Sequence, residues 1–270
     1  PECGKVNAAI RSIQADYPRF GEREHPEFDS WHSSFGRLDT TDGLDIDEIL
    51  SRSPEEFARA LLRADDKSFD PDRHDYMSCI PKLIQRDREW GRHLVVILSV
   101  ESPTDSYLWN SVAYGWRESM ETESDWAWML DLIEQLPHKR AIYEGVANLI
   151  SHGFPSWKDD WEESLFERAA ALMDRAWELC KGDPSPLDET YGDWLTTAIN
   201  QVGGWIGEFW VHSCDRLRKR AGKLWVGLPE SVQAKLKEAL RGTNRPRVNA
   251  RIALTPWIGF FFAWDRQFTL

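Results

Sequence analysis

Tyr191 to Trp210 reads YGDWLTTAINQVGGWIGEFW, and no other stretch limits the possible folds as much. Trp194, Leu195, Ala198 and Ile199 recur at the spacing of one helix face, Gly203-Gly204 follows, and Trp205, Ile206, Phe209 and Trp210 resume the pattern. The glycine pair reads as a break between two helices that meet at a tight corner. Lacking Cβ atoms, two backbones can approach closely there, and the indoles on either side then need further layers to bury them.

The rest of the chain has the means to supply those layers. Its 270 residues can bury a sizeable core as one large domain or as two, divided at 1–155 and 156–270. Fifteen tryptophans exclude a disordered chain even though 29% of residues are charged. A net charge of −12 argues against uniform binding to nucleic acid or an anionic membrane. Cys3, Cys79, Cys180 and Cys214 lie far apart with no CxxC, which fits reduced thiols in a cytoplasmic protein. No apolar run approaches the ~20 residues that span a bilayer, and no signal peptide opens the chain. Beginning at Pro1 and stopping at Leu270 just after an aromatic segment, it reads as a piece of a longer polypeptide.

Helix signals follow one another along the chain. Val6 to Ala15 predicts a short amphipathic helix, and Tyr17 to Gly43 a long loop. Asp45 with Glu48, and Ser53 before Pro54-Glu55-Glu56, are helix starts; Phe57, Ala60, Leu61 and Ala64 then share a face. Asp72 to Trp90 is helical in its charge pattern, with Pro81 expected to kink or divide it. His93 to Val100 is β-branched, but its helical neighbours favour a buried helix. Further helices are expected over 105–118, 125–136, 139–152, 162–181, 229–241 and 247–264. About ten helices in pairs with almost no strand signal predict an all-α fold, an irregular HEAT-like α-solenoid without a strict repeat period.

Candidate chemistry is sparse. Gly203-Gly204-x-x-Gly207 lacks the strand and βαβ unit that a dinucleotide loop requires. His212 and Cys214 point in different directions on a helix. His74, Asp75 and Cys79 approach metal-ligand spacing without a second ligand set. The acidic runs Asp39, Asp42, Asp45, Asp47, Glu48 and Asp159, Asp160, Glu162, Glu163 suit caps and helix N-termini better than calcium. The residues therefore assign no catalytic group, metal or cofactor. A stand-alone enzyme would need at least two of His74, His93, His152, His212 and Cys214 gathered in one pocket.

Charge is distributed more informatively. From Arg216 to Arg251 eleven Lys or Arg face only Glu230 and Glu238, a net of +9 that leaves −21 for the remainder. Arg216, Arg218, Lys219, Arg220, Lys223, Arg245, Arg247 and Arg251 are candidates for contact with an acidic protein partner or an acidic part of the same polypeptide. Nucleic acid is the weaker choice, because the patch lacks interleaved stacking aromatics. As a docking surface, Arg216, Arg218, Lys219 and Arg220 should all accept Glu with little change in thermal unfolding.

Three blocks in order also carry a family resemblance: HPEFDSW at 25–31 with LDIDEILSRSPEEFARALL at 44–62, WLTTAINQVGGWIGEFW at 194–210, and ARIALTPWIGFFFAWDRQFT at 250–269. Together they resemble the uncharacterised helical domain that lies C-terminal to sirtuin-like domains in some bacterial anti-phage defence proteins. The resemblance implies that NAD hydrolysis belongs to a sirtuin-like part of the longer protein. The helical part would serve in sensing, assembly or restraint, meeting a phage protein, its own effector domain or further subunits. This sequence has no sirtuin catalytic motif, so no catalytic residue carries over.

Overall fold

The computed structural model describes residues 44–64, 72–154, 161–184 and 194–265. The chain falls into two compact units, Pro1–Gly43 and Leu44–Leu270, and all the described helices belong to the second. The expected helix at Val6–Ala15 and loop at Tyr17–Gly43 lie outside the described residues.

Helix starts follow the local side-chain chemistry. The Asp45 carboxylate accepts the N–H of Asp47 at 2.9 Å and opens α1 (Ile46–Leu50). Ser53 Oγ accepts the Glu56 N–H and opens α2 (Pro54–Arg63), whose first helical position is proline. Asp72 and Asp75 cap each other's backbone at the head of α3 (Arg73–Arg86). Pro81, expected to kink or divide this helix, lies inside it, and the division comes at Asp87. Proline removes one N–H donor, whereas Asp87 (φ −141°, ψ 101°) both ends α3 and accepts the Trp90 N–H that starts α4 (Arg88–Glu101). The β-branched run is helical: Leu94, Val95 and Leu98 of α4 are buried, while Val96 and Val100 face outward.

Next come α5 (Ser106–Arg117), α6 (Glu123–Gln135), α7 (Arg140–Gly153), α8 (Glu163–Cys180), α9 (Trp194–Ile199), α10 (Val202–Ala221), α11 (Glu230–Arg241) and α12 (Arg245–Leu254). The single helix expected over 247–264 is interrupted: Thr255–Trp257 tightens into a 3₁₀ turn containing Pro256, and α13 (Ile258–Trp264) follows. The fold is all-α, with no strand among the described residues.

Packing follows an alternating order. α3 packs on α5, α5 on α7, α7 on α10 and α10 on α12, while α2 packs on α4, α6 on α8 and α8 on α10. Most of these pairs skip one helix in sequence, while α7 and α10 are separated by α8 and α9. No division falls near 155/156, because α7 lies against both α8 and α10. Trp116, Trp126, Tyr143 and Trp177 are buried in full within this stack.

The glycine corner differs from expectation in one respect. The break falls at Asn200–Gln201, and Gly203 and Gly204 lie inside the first turn of α10. They are small because of proximity. A Cβ on Gly203 would overlap the Pro246 carbonyl oxygen of α12, and one on Gly204 the Ala198 carbonyl oxygen of α9. Trp205, Phe209 and Trp210 are buried, and Trp210 meets Trp177 edge-on at 5.1 Å. Trp194 and Leu195, expected inside, are each 44% exposed.

Candidate interaction surface

The basic stretch splits into residues that hold the helices together and residues that face outward. Arg216 is the clearest of the first kind. At 3% exposure, it donates from Nη2 to the Trp161 carbonyl at 3.1 Å and to Glu163 Oε2 at 3.2 Å, with its guanidinium over the Phe166 ring at 4.9 Å. It pins α10 to the head of α8 and is removed from the candidate docking residues, because a buried guanidinium meets no partner. Glu163 also pairs with Arg220. Arg247 bonds Glu238 at 3.2 Å, and Arg251 Nη1 bonds the Leu240 carbonyl at 3.0 Å, so both tie α12 to α11. Much of the basic charge therefore answers acids of the same chain, as Lys235 on Asp174 at 2.6 Å also shows.

Arg218, Lys219 and Lys223 lie toward the surface. Arg218 and Lys219 share Asp215, at 2.8 and 3.0 Å. Burial would raise the Asp215 pKa, but the bonds from Arg218 and Lys219 outweigh it and hold the carboxyl below its ordinary value. Arg218 also lies over the Trp264 ring at 4.1 Å. Trp225 Nε1 donates to the Trp264 carbonyl at 2.9 Å, and Asp265 accepts the Leu228 N–H at 2.9 Å. The end of α10, the 222–228 turn and α13 are thereby fastened into one corner. Here large apolar side chains are exposed: Leu224, Val226 (99%), Ile258, Phe262 and Trp264 (42%). Sequence reasoning missed this patch, since LWVGLP and WIGFFFAW look like core material. Only their place at the end of the stack leaves one side uncovered.

A second feature is a polar cleft of about 270 Å³ on the edge of the stack, with Tyr107, Arg140, Glu144, Asp183, Arg245 and Asn249 in its walls. None of His74, His93, His152, His212 or Cys214 lines it. His212 meets Trp257 edge-on at 6.2 Å, and Ser213 bonds the Phe209 carbonyl at 2.8 Å. Burial pushes the Cys214 and Cys180 thiols up to about 12 and also raises Cys79, so these cysteines are held as inert thiols. Asp75 is occupied in capping α3, and among the described residues no group of three or more His, Cys, Asp or Glu is placed to hold a metal. Asp39, Asp42, Asp159 and Asp160 lie outside the described residues.

The class defined by the described residues is an all-α protein whose C-terminal corner exposes large apolar side chains beside basic ones. Comparison with protein-family profiles, with known proteins and with solved structures gives no match. No described helix is long and apolar enough to cross a membrane.

Proposed function

We propose that this chain is a non-catalytic helical binding module whose C-terminal corner docks a protein partner. The observation that supports the reading most is that corner itself. Leu224 and Val226 stand almost fully in solvent beside Trp264, whose face is already taken by Arg218. Exposed apolar side chains rimmed by charge are the usual make-up of a protein contact, and Lys219 and Lys223 bias it toward an acidic surface. The resemblance at 25–31 with 44–62, 194–210 and 250–269 supports reading the module as part of a bacterial anti-phage defence protein. There it would bind a phage protein or its own NAD-hydrolysing sirtuin-like effector and restrain that effector until the phage arrives. Such restraint requires the partner to bind one conformation better than the other.

NAD consumption tests the reading directly, with the chain alone set beside the longer protein, each with and without phage lysate. The module should be inert and the longer protein triggered. In the longer protein, Leu224→Asp with Val226→Asp should change or abolish the trigger while helical content stays intact. Turnover by the chain alone, or a trigger indifferent to the double substitution, would overturn the proposal.

A further inference from the structure

Four helices of one layer end at the same cleft. Ser106 begins α5, Arg140 begins α7, Gln201 precedes α10 and Arg245 begins α12, and all four residues line it. Stacking in parallel register therefore aligns four positive helix ends along one edge. Asp105 caps α5, but α7, α10 and α12 carry no side-chain cap. Their first-turn N–H groups lack the side-chain acceptors that usually meet them.

The side chains in the cleft are unequal. Arg140 is already satisfied: it bonds Glu144 Oε1 at 2.8 Å and pairs with Asp183, and both carboxylates are largely buried. On the opposite wall Arg245 has no carboxylate partner among the described residues. One turn along the same face of α12, Asn249 is 2% exposed, and its side-chain amide has no hydrogen bond among the described residues. Trp205 lines the cleft as well, and its indole N–H has no partner. Asn249 and Trp205 thus bring polar groups without partners among the described residues to the wall of the cleft, where a ligand can meet them.

We infer that this cleft binds a small phosphate-bearing molecule, with the phosphate between Arg245, Asn249 and the uncapped heads of α10 and α12. Guanidinium, amide N–H and helix N-termini are all donors, the set that a phosphate oxygen cluster needs. The Arg140–Glu144–Asp183 group opposite offers acceptors for hydroxyls on the remainder of the ligand. A volume of about 270 Å³ is at the small end for ligand sites and suits a molecule no larger than a sugar phosphate. The site is independent of the apolar corner and stands whether or not that corner docks a protein.

Thermal unfolding of the whole chain, titrated with sodium pyrophosphate and with glucose 6-phosphate against sodium chloride at matched ionic strength, tests the inference. At roughly tenfold above its Kd, a phosphate ligand should raise Tm by about 3–6 °C, while chloride does not. Arg245→Gln should remove that response and leave the phosphate-free Tm within about 1 °C, because Arg245 holds no ion pair to lose. Asn249→Asp should also weaken the response, through repulsion of the anion. Equal stabilisation by chloride and phosphate, no response to either phosphate, or a full response in Arg245→Gln would each overturn the proposal. A response to glucose 6-phosphate much stronger than to pyrophosphate would assign the acceptor wall to hydroxyl recognition.

Discussion

The middle of the stack and its C-terminal corner use the same residues to opposite ends. Between α5 and α8 the large indoles Trp109, Trp116, Trp126 and Trp177 are buried, and Trp126 meets Phe154 edge-on at 5.2 Å. Ion pairs there join neighbouring helices, with Arg168 bonded to Glu134 at 2.8 Å and Arg88 to Asp125 at 2.5 Å. At the corner Trp264 stays 42% exposed on a seven-residue helix that follows a 3₁₀ turn. A helix with neighbours on both sides buries its large side chains and one with neighbours on one side leaves some exposed, so the same residue types become core in one place and surface in the other.

Trp126→Ala should break the middle of the stack most severely. Loss of a fully buried indole costs about 3–5 kcal/mol, which thermal melting would read as a fall of roughly 6–20 °C. A fall of less than half that would mean that the surrounding helices close over the cavity. Gly203→Ala comes next. Its new methyl must displace the α12 backbone at Pro246, so a loss of about 1–3 kcal/mol is expected, against well under 1 kcal/mol for Gly259→Ala in α13, where a Cβ meets open space. Arg216→Ala should fall in the same range, about 1–3 kcal/mol, since it removes a buried guanidinium bonded to Glu163 and to the Trp161 carbonyl, leaving Arg220 on Glu163. Arg218→Ala, nearer the surface, should lose less than about 1 kcal/mol.

Acidification probes the corner more gently. Burial beside Trp257 holds the His212 pKa below its ordinary 6.5, with Asp215 pulling it up and Lys219 pushing it down. The unfolded chain then binds the proton more readily. The contribution of His212 is thus complete above pH 6.5 and is lost as pH falls from there through its folded value. His212→Gln should reduce the slope of the stability profile below pH 6.5, as urea titrations at each pH would report. An unchanged slope would show that His212 is solvated after all.

Much of the fold was legible because its signals are local. Asp45 and Ser53 cap where their spacing places them, and the run at 93–100 is helical because its neighbours are. Pro81 left open whether the helix is kinked or divided, and the division falls at Asp87, whose carboxylate caps the next helix. Gly203-Gly204 announced close approach correctly but not where the chain turns, because that depends on Pro246, which is distant in sequence. Arg216 looked like its neighbours in a basic run, and only its register toward α8 buries it. The cleft was not legible at all. Its walls come from four helix starts spread between Ser106 and Arg245, and no local pattern reveals that a parallel stack brings them together.

The smallest expected effect separates the two regions most cleanly. Val226→Asp changes a side chain that is 99% exposed, so stability should move by less than about 0.5 kcal/mol and the melting curve should superimpose on that of the parent sequence. Leu130→Asp makes the same chemical change at a fully buried site in α6, where an unpaired carboxylate cannot be accommodated, and the chain should fail to fold. The ratio between the two is the informative quantity. If Val226→Asp also destabilises by several kcal/mol, the corner is covered by another part of the chain and belongs to the core. If it is neutral, Leu224, Val226 and Trp264 persist in solvent at an energetic disadvantage that folding does not explain, and contact with a partner is the function that accounts for them.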